Sequence, residues 1–358
     1  MVLFLFHRAV KMLSSFASSA SSASSFRVAS VPLVSCRGQA AQNVARIADW
    51  LTLAASRNID LVVFPEACIS GYASMAKLNR AELNALAEPL DGPSVRAVMD
   101  AVERTGVAAG VGLIERATDG QLFNSYLVCL PGGVRYCHRK LHAFEHPRIG
   151  SGDRFTVFDV SAGIRIGILI GADNYVVENV RMAALMGATL LIAPHRTYGV
   201  SEEGSEWTQP MSMEQALNRA SIANAARCKA ACSAEKWLCR WLPARAIDNG
   251  MFVVFSNGAD IAGQPKRAGA AMIVDPFGRT LADMSSGETT GGLVYAELDT
   301  RLIGVSPGRE WLGARRSDLY GALSRSALNA TDFDAQRVSA KGAVAVSFAQ
   351  VRRNRVIG

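Results

Sequence analysis

The chain has 358 residues, 49% of them hydrophobic and 19% charged, a globular composition with enough apolar material for a sizeable core. Its formal net charge is +7, yet no basic patch is interleaved with aromatic residues in the middle of the chain, which argues against a nucleic-acid partner. The seven cysteines are odd in number and several lie in apolar runs, which argues against a disulfide framework and for a reducing compartment.

Residues 1–26 are rich in Ser and Ala, carry His7, Arg8 and Lys11, and lack acids. Such a segment resembles a mitochondrial transit peptide more than a secretory signal. The alternatives are a disordered extension, or an upstream start with Met12 as the working initiator. The expected location is therefore cytoplasmic, or mitochondrial if this segment directs import. No run of about 18 uninterrupted apolar residues is present, so no membrane span is expected.

From Phe26 onward, strand-like and helix-like segments alternate. Arg27–Ser35 reads as a short apolar strand, and Ala40–Ala55 places Ala, Val, Ile, Trp and Leu at helical spacing. Asp60–Phe64 is a buried-strand run ended by Pro65, and Ser94–Arg104 is helical. Gly106–Glu115 and Asn124–Leu130 read as strands, and Gly132-Gly133 turns the latter back into Val134–Arg139. Ile164–Ile170 is a wholly apolar strand, Val176–Met186 a helix ended by Gly187, and Thr189–Ala193 a strand.

Thr197–Lys236 is a polar insertion, expected as a lid or loop. Within it Cys228 and Cys232, with Cys239 just beyond, lie close together, but no histidine is near and the usual two-residue spacing is absent, so no metal is expected. Trp237–Asn249 is helical and strands follow at Met251–Ser256, Ala270–Val274 and Gly292–Glu297. Asp275-Pro276-Phe277-Gly278 is expected to turn between the last two. Residues 321–358 read as a tail with one strand-like run, Ala343–Phe348. Continuous apolar strands imply sheets covered on both faces, hence a layered α/β protein.

Three segments place polar groups at the ends of apolar strands, where open α/β folds hold their active groups. They are Phe64-Pro65-Glu66, Arg139-Lys140-Leu141-His142, and Gly171-Ala172-Asp173-Asn174. Singly each is weak, because a glutamate or lysine at a strand end is usually a solvated surface charge.

Together and in this order they resemble the nitrilase superfamily of carbon–nitrogen hydrolases. Its F-P-E signature corresponds to Leu61–Glu66, and its R-K signature to Arg139-Lys140. Its strand, C-x-D turn, E-x-x-R and Gly-Ala correspond to Ile166–Asp173, Glu178, Arg181 and Gly187-Ala188. Ala244–Asn249, Asp275–Gly278 and Arg315–Tyr320 also look like family segments. The resemblance covers residues 27–320 and implies a four-layer α-β-β-α sandwich that pairs through its helices into homodimers or larger assemblies, with the 321–358 tail at an oligomer interface. It implies hydrolysis of a small nitrile or amide, with no metal or organic cofactor. Glu66 would shuttle protons, Lys140 would stabilise the tetrahedral intermediate, and Glu145 is the nearest candidate for a second supporting glutamate. Asp173, Asn174 and His195 are possible further supports.

The sequence departs from that pattern at the decisive position. Gly171 stands where the family keeps its cysteine nucleophile, and glycine can neither attack carbon nor hold an acyl group. Three readings follow. The protein is a non-catalytic relative that binds a small molecule or acts through assembly. Or the glycine is a single changed codon. Or another group substitutes, with Cys68 the nearest thiol in sequence and a water activated by Glu66 a further route, although Cys68 and Cys137 both read first as inert packed or loop cysteines.

Overall fold

The computed structural model describes residues 25–72, 75–196, 234–260, 270–284 and 292–324. The N-terminal extension, nearly all of the 197–236 insertion, Cys228, Cys232 and the run at 343–348 lie outside the described residues, as does the side chain of Cys239.

Strand β1 (Phe26–Ser30) is followed by the two-residue β2 (Val34–Ser35). The single strand expected over Arg27–Ser35 is thus divided. Pro32 has no N–H to give a ladder, and Leu33 N turns back to Val31 O at 2.8 Å. Helix α1 (Ala40–Ala55) buries Val44, Ile47, Leu51 and Ala54, the stripe its spacing predicts. Strand β3 (Leu61–Val63) leads to a helix that sequence reading passed over, α2 (Arg80–Leu86). Asn79 caps it by accepting from the amides of Ala81 and Glu82, and Glu82 accepts from the Asn79 amide in return. Helix α3 (Pro93–Thr105) starts on proline and ends on Gly106 at φ +68°.

Strands β4 (Ala108–Arg116), β5 (Leu122–Cys129) and β6 (Arg135–Arg139) form an antiparallel meander, the last two joined through Gly132-Gly133. Short strands β7 (Ile149–Gly150) and β8 (Val157–Asp159) precede β9 (Arg165–Ile168). A tight 3-10 turn, Gly171–Tyr175, feeds helix α4 (Val177–Leu185), which stops at Gly187. Then come β10 (Leu190–His195), α5 (Ala234–Asn249), β11 (Phe252–Asn257), β12 (Ala259–Asp260), β13 (Ala270–Val274) and β14 (Thr280–Asp283). Asp275–Gly278 turns into β14, not into the strand near Gly292, so that expectation is corrected. The turn is locked because Asp275 accepts from the amides of Phe277 and Arg279. Strand β15 (Val294–Leu298) and helices α6 (Arg301–Gly304) and α7 (Pro307–Gly313) follow. The chain divides after Leu312. Of the second piece, described by itself, Ser317–Leu319 and Gly321–Ser324 are short 3-10 turns.

One sheet runs β15-β1-β3-β4-β5-β6 with β7 on β5, and the other β14-β13-β11-β10-β9-β8. Period-two alternation assigns each strand residue to a layer. Val28, Leu61, Val63, Ile166, Ile168, Leu190, Ile192, Phe252 and Val254 form one core between the sheets. Ala29, Val62 and Ala109 face the other way, onto Ile47 and Leu51 of α1 and Val95 and Val98 of α3. Leu191, Ala193, Val253 and Phe255 face Val180 of α4 and Leu242 and Ala246 of α5. The result is an α-β-β-α sandwich in which the central strands are apolar on both faces because both faces are covered.

Candidate active site

The carboxyl ends of β3 and β9, one from each sheet, bring Glu66 and Gly171 together, and the end of β6 adds Lys140. Glu66 follows β3 in a segment fixed by neighbouring strands. Phe64 N donates to Gly110 O at 2.9 Å and Tyr126 Oη donates to Phe64 O at 2.7 Å. Ala67, next to Glu66, is held at φ +48°, a conformation that costs an L-residue free energy and persists only when its surroundings impose it. Ile69 N donates to Gly112 O at 2.9 Å, and a Cβ on Gly112 would run into the Ala67 amide.

Glu66, Lys140, Glu145 and Asn124, all buried, form a closed ring. Lys140 Nζ donates to Glu66 Oε1 at 2.7 Å and to Glu145 Oε2 at 3.1 Å. Asn124 Nδ2 donates to Glu66 Oε1 at 2.7 Å and to Glu145 Oε1 at 2.6 Å. Two carboxylates are thus bridged by one ammonium and one amide. Burial pushes the Glu66 carboxyl above its usual range; the Lys140 charge opposes that shift, and the Glu145 charge adds to it. Burial alone would lower the Lys140 ammonium, but the charges of Glu145 and Glu66 outweigh it and hold the group well above its ordinary value. Lys140 is therefore a fixed cation, not a free amine.

Gly171 opens the turn after β9 at φ +50°. A Cβ there would lie 2.7 Å from Glu66 Oε2 and 3.3 Å from Lys140 Nζ. The remaining oxygen of Glu66 and the ammonium therefore converge on the spot where a side chain at 171 would begin. Asp173 accepts from Ile170 N at 3.2 Å, Leu141 N at 3.1 Å and His142 N at 2.8 Å. Asn174 Nδ2 donates to Leu169 O at 2.7 Å and Gly171 O at 3.2 Å, and it also lies 3.2 Å from His195 Nε2. His195 is fully buried between Asn174 and the Phe255 ring, and burial pulls its pKa down to about 3, so it is a neutral packing group beside the turn.

Cys68 packs in the core beneath α1 and α3. It is fully buried, its sulfur receives the Gly112 amide at 3.4 Å, and burial pushes its thiol up to about 12. Cys137, on β6, is likewise pushed up to about 12. A thiol attacks as the thiolate, which both environments suppress.

Every site residue expected from sequence lies in or beside this cluster, and Glu145 bonds Lys140 directly. Asn124 and His138 escaped that reading. The signal for Asn124 was an Asn-Ser pair opening an otherwise apolar strand, where asparagine is disfavoured. His138 is fully buried, with Nε2 3.6 Å from Asp173 Oδ2. Among the described residues, no group of His, Cys, Asp and Glu is arranged to hold a metal ion.

The sequence profile of the carbon–nitrogen hydrolases matches residues 27–306. The chain is 30% identical over 295 residues to an (R)-stereoselective amidase of a Pseudomonas species, covering 81% of this chain and 92% of that one. It is 28% identical over 272 residues to a hydrolase of Pseudomonas protegens, covering 74% of this chain and 81% of the other. Among solved structures, Saccharomyces cerevisiae Nit3, a nitrilase-superfamily member, superposes with a TM-score of 0.60 at 19% identity, over 82% of this chain and 97% of that one. With the fold, the profile and these relatives in agreement, the chain belongs to the carbon–nitrogen hydrolase family of the nitrilase superfamily.

Proposed function

We propose that this protein keeps the recognition half of a carbon–nitrogen hydrolase site and lacks its covalent half. It binds a small nitrile or amide beside Glu66 and Lys140 and does not pass it through a covalent intermediate. The observation that carries this reading is the absence of a side chain at Gly171, on which Glu66 Oε2 and Lys140 Nζ converge. Lys140 offers a cation to a carbonyl oxygen or nitrile nitrogen, and Glu66, whose carboxyl burial holds above its usual range, is placed to exchange a proton with the ligand. Attack on carbon needs a nucleophile between them, and losing it costs several orders of magnitude in rate.

The amidases and nitrilases among the relatives support the ligand class. Apolar side chains exposed on α4, among them Val177, Met182 and Leu185, support the expectation that copies pair through their helices.

The test is ammonia release from a panel of nitriles and amides, beside calorimetric binding, for the unsubstituted chain and for Gly171→Cys. Binding without release is expected for the first, and measurable release for the second. A covalent adduct recovered from the unsubstituted chain, or turnover that Gly171→Cys does not raise, refutes the reading.

A further inference from the structure

Asp173 stands outside the ring of Glu66, Lys140, Glu145 and Asn124, yet it touches both segments that define the site. Its Oδ2 accepts from Ile170 N, which precedes Gly171, and that bond alone would be a local cap of the turn. The other bonds are not local. Oδ2 also accepts from Leu141 N and Oδ1 from His142 N, the two residues that follow Lys140 in a loop of the other sheet. His138 Nε2, from the strand leading into Lys140, lies 3.6 Å from Oδ2, and both side chains are fully buried. Hydrogen bonds from backbone amides to an ionised carboxylate are among the stronger ones in proteins, more so when water is excluded.

We propose that Asp173 is a positioning residue, whose carboxylate latches the Lys140 loop of one sheet to the Gly171 turn of the other and so sets how far Lys140 Nζ stands from a ligand beside Gly171. The ligand part of this statement rests on the proposed function, whereas the latch does not. Asn179 provides the contrast. Its Nδ2 donates to the Asp173 backbone carbonyl at 3.0 Å and supports the turn without reaching the Lys140 loop.

The test compares the unsubstituted chain, Asp173→Asn and Asn179→Ala by amide hydrogen exchange and by titration with acetamide. In Asp173→Asn, the Leu141 and His142 amides are expected to exchange about tenfold faster or more, while amides in the centre of β4 and β5 keep their protection. Acetamide affinity is expected to fall about tenfold with them. Asn179→Ala is expected to leave the Leu141 and His142 amides and acetamide affinity unchanged. The proposal is overturned if folded Asp173→Asn protects Leu141 and His142 as the unsubstituted chain does, or if Asn179→Ala reproduces the full loss. Should Asp173→Asn not fold, exchange in the unsubstituted chain decides: Ile170, Leu141 and His142 opening with one common free energy supports the latch, and three separate values overturn it. Failure of acetamide to bind the unsubstituted chain refutes the proposed function and leaves the exchange result to decide on the latch.

Discussion

A side chain at position 171 would have to begin in space that the Glu66 carboxylate already crowds, from a backbone at φ +50°. Glycine relieves both conflicts, so activity and stability are expected to part at this residue. Gly171→Cys should gain ammonia release and lose about 1–3 kcal/mol of stability, the typical cost of a non-glycine residue in the left-handed region. Chemical denaturation of the two chains measures that loss, and equal midpoints would show that the turn relaxes to a different φ. Asn124 makes the complementary case, since its amide is shared by two buried carboxylates. Asn124→Leu is expected to destabilise by about 1–3 kcal/mol, the cost of leaving buried acceptors short of a donor, and to weaken amide binding in the same calorimetric titration. Unchanged stability and affinity would place Asn124 outside the working site. Glu66 and Lys140 were legible because each follows a strand that announces itself in sequence. Asn124 was not, because its role depends on its strand lying beside Lys140, whose amide donates to Asn124 O at 2.8 Å, and cross-strand register is not written in either segment alone.

The elements that aim these residues were legible in proportion to how fully they are buried. β3, β4, β9, β10 and β11 show as continuous apolar runs because helices or the second sheet cover both faces. β14 escaped notice because its residues are only half-covered or exposed, and α2 because it is short and buries only Leu83. The division between β1 and β2 needed only the rule that proline ends a ladder. Less visible was the dependence of the Glu66 segment on β4. Ala67 approaches so closely that Gly112 has no room for a Cβ, and the same stretch of backbone exchanges hydrogen bonds with Cys68 and Ile69. Gly112→Ala is therefore expected to cost at least about 1–3 kcal/mol through overpacking and to displace Glu66, whose backbone carbon would lie 3.1 Å from the added Cβ. Loss of amide affinity beyond what a stability-matched core variant such as Leu51→Val shows would attribute the effect to the displaced strand end. Parallel losses in both variants would deny it.

At the scale of the whole molecule, the sandwich buries titratable groups whose shifts pull stability in opposite directions with pH. Glu66 is raised, so its contribution is present at low pH and is lost as pH rises through its folded value. His195 behaves in reverse. Its pKa falls from the ordinary 6.5 to about 3 because it is walled in beside β11 and the Gly171 turn. The unfolded chain therefore binds the His195 proton more readily than the folded one, and stability that is complete above pH 6.5 drains away as pH falls from 6.5 toward 3. Two pH units below 6.5 the loss is about 3 kcal/mol, at about 1.36 kcal/mol per unit. Because Glu66 slopes the other way, the unsubstituted chain alone would show only a net effect. His195→Gln separates them. Its stability relative to the unsubstituted chain is expected to rise by about 2–3 kcal/mol between pH 7 and pH 4.5, since it removes the proton uptake and leaves Glu66 unchanged. Denaturant midpoints measured across that interval provide the comparison, and two curves that stay parallel from pH 7 to pH 4.5 would mean that His195 is reached by water in the folded protein and that the layer above the turn is looser than its packing indicates.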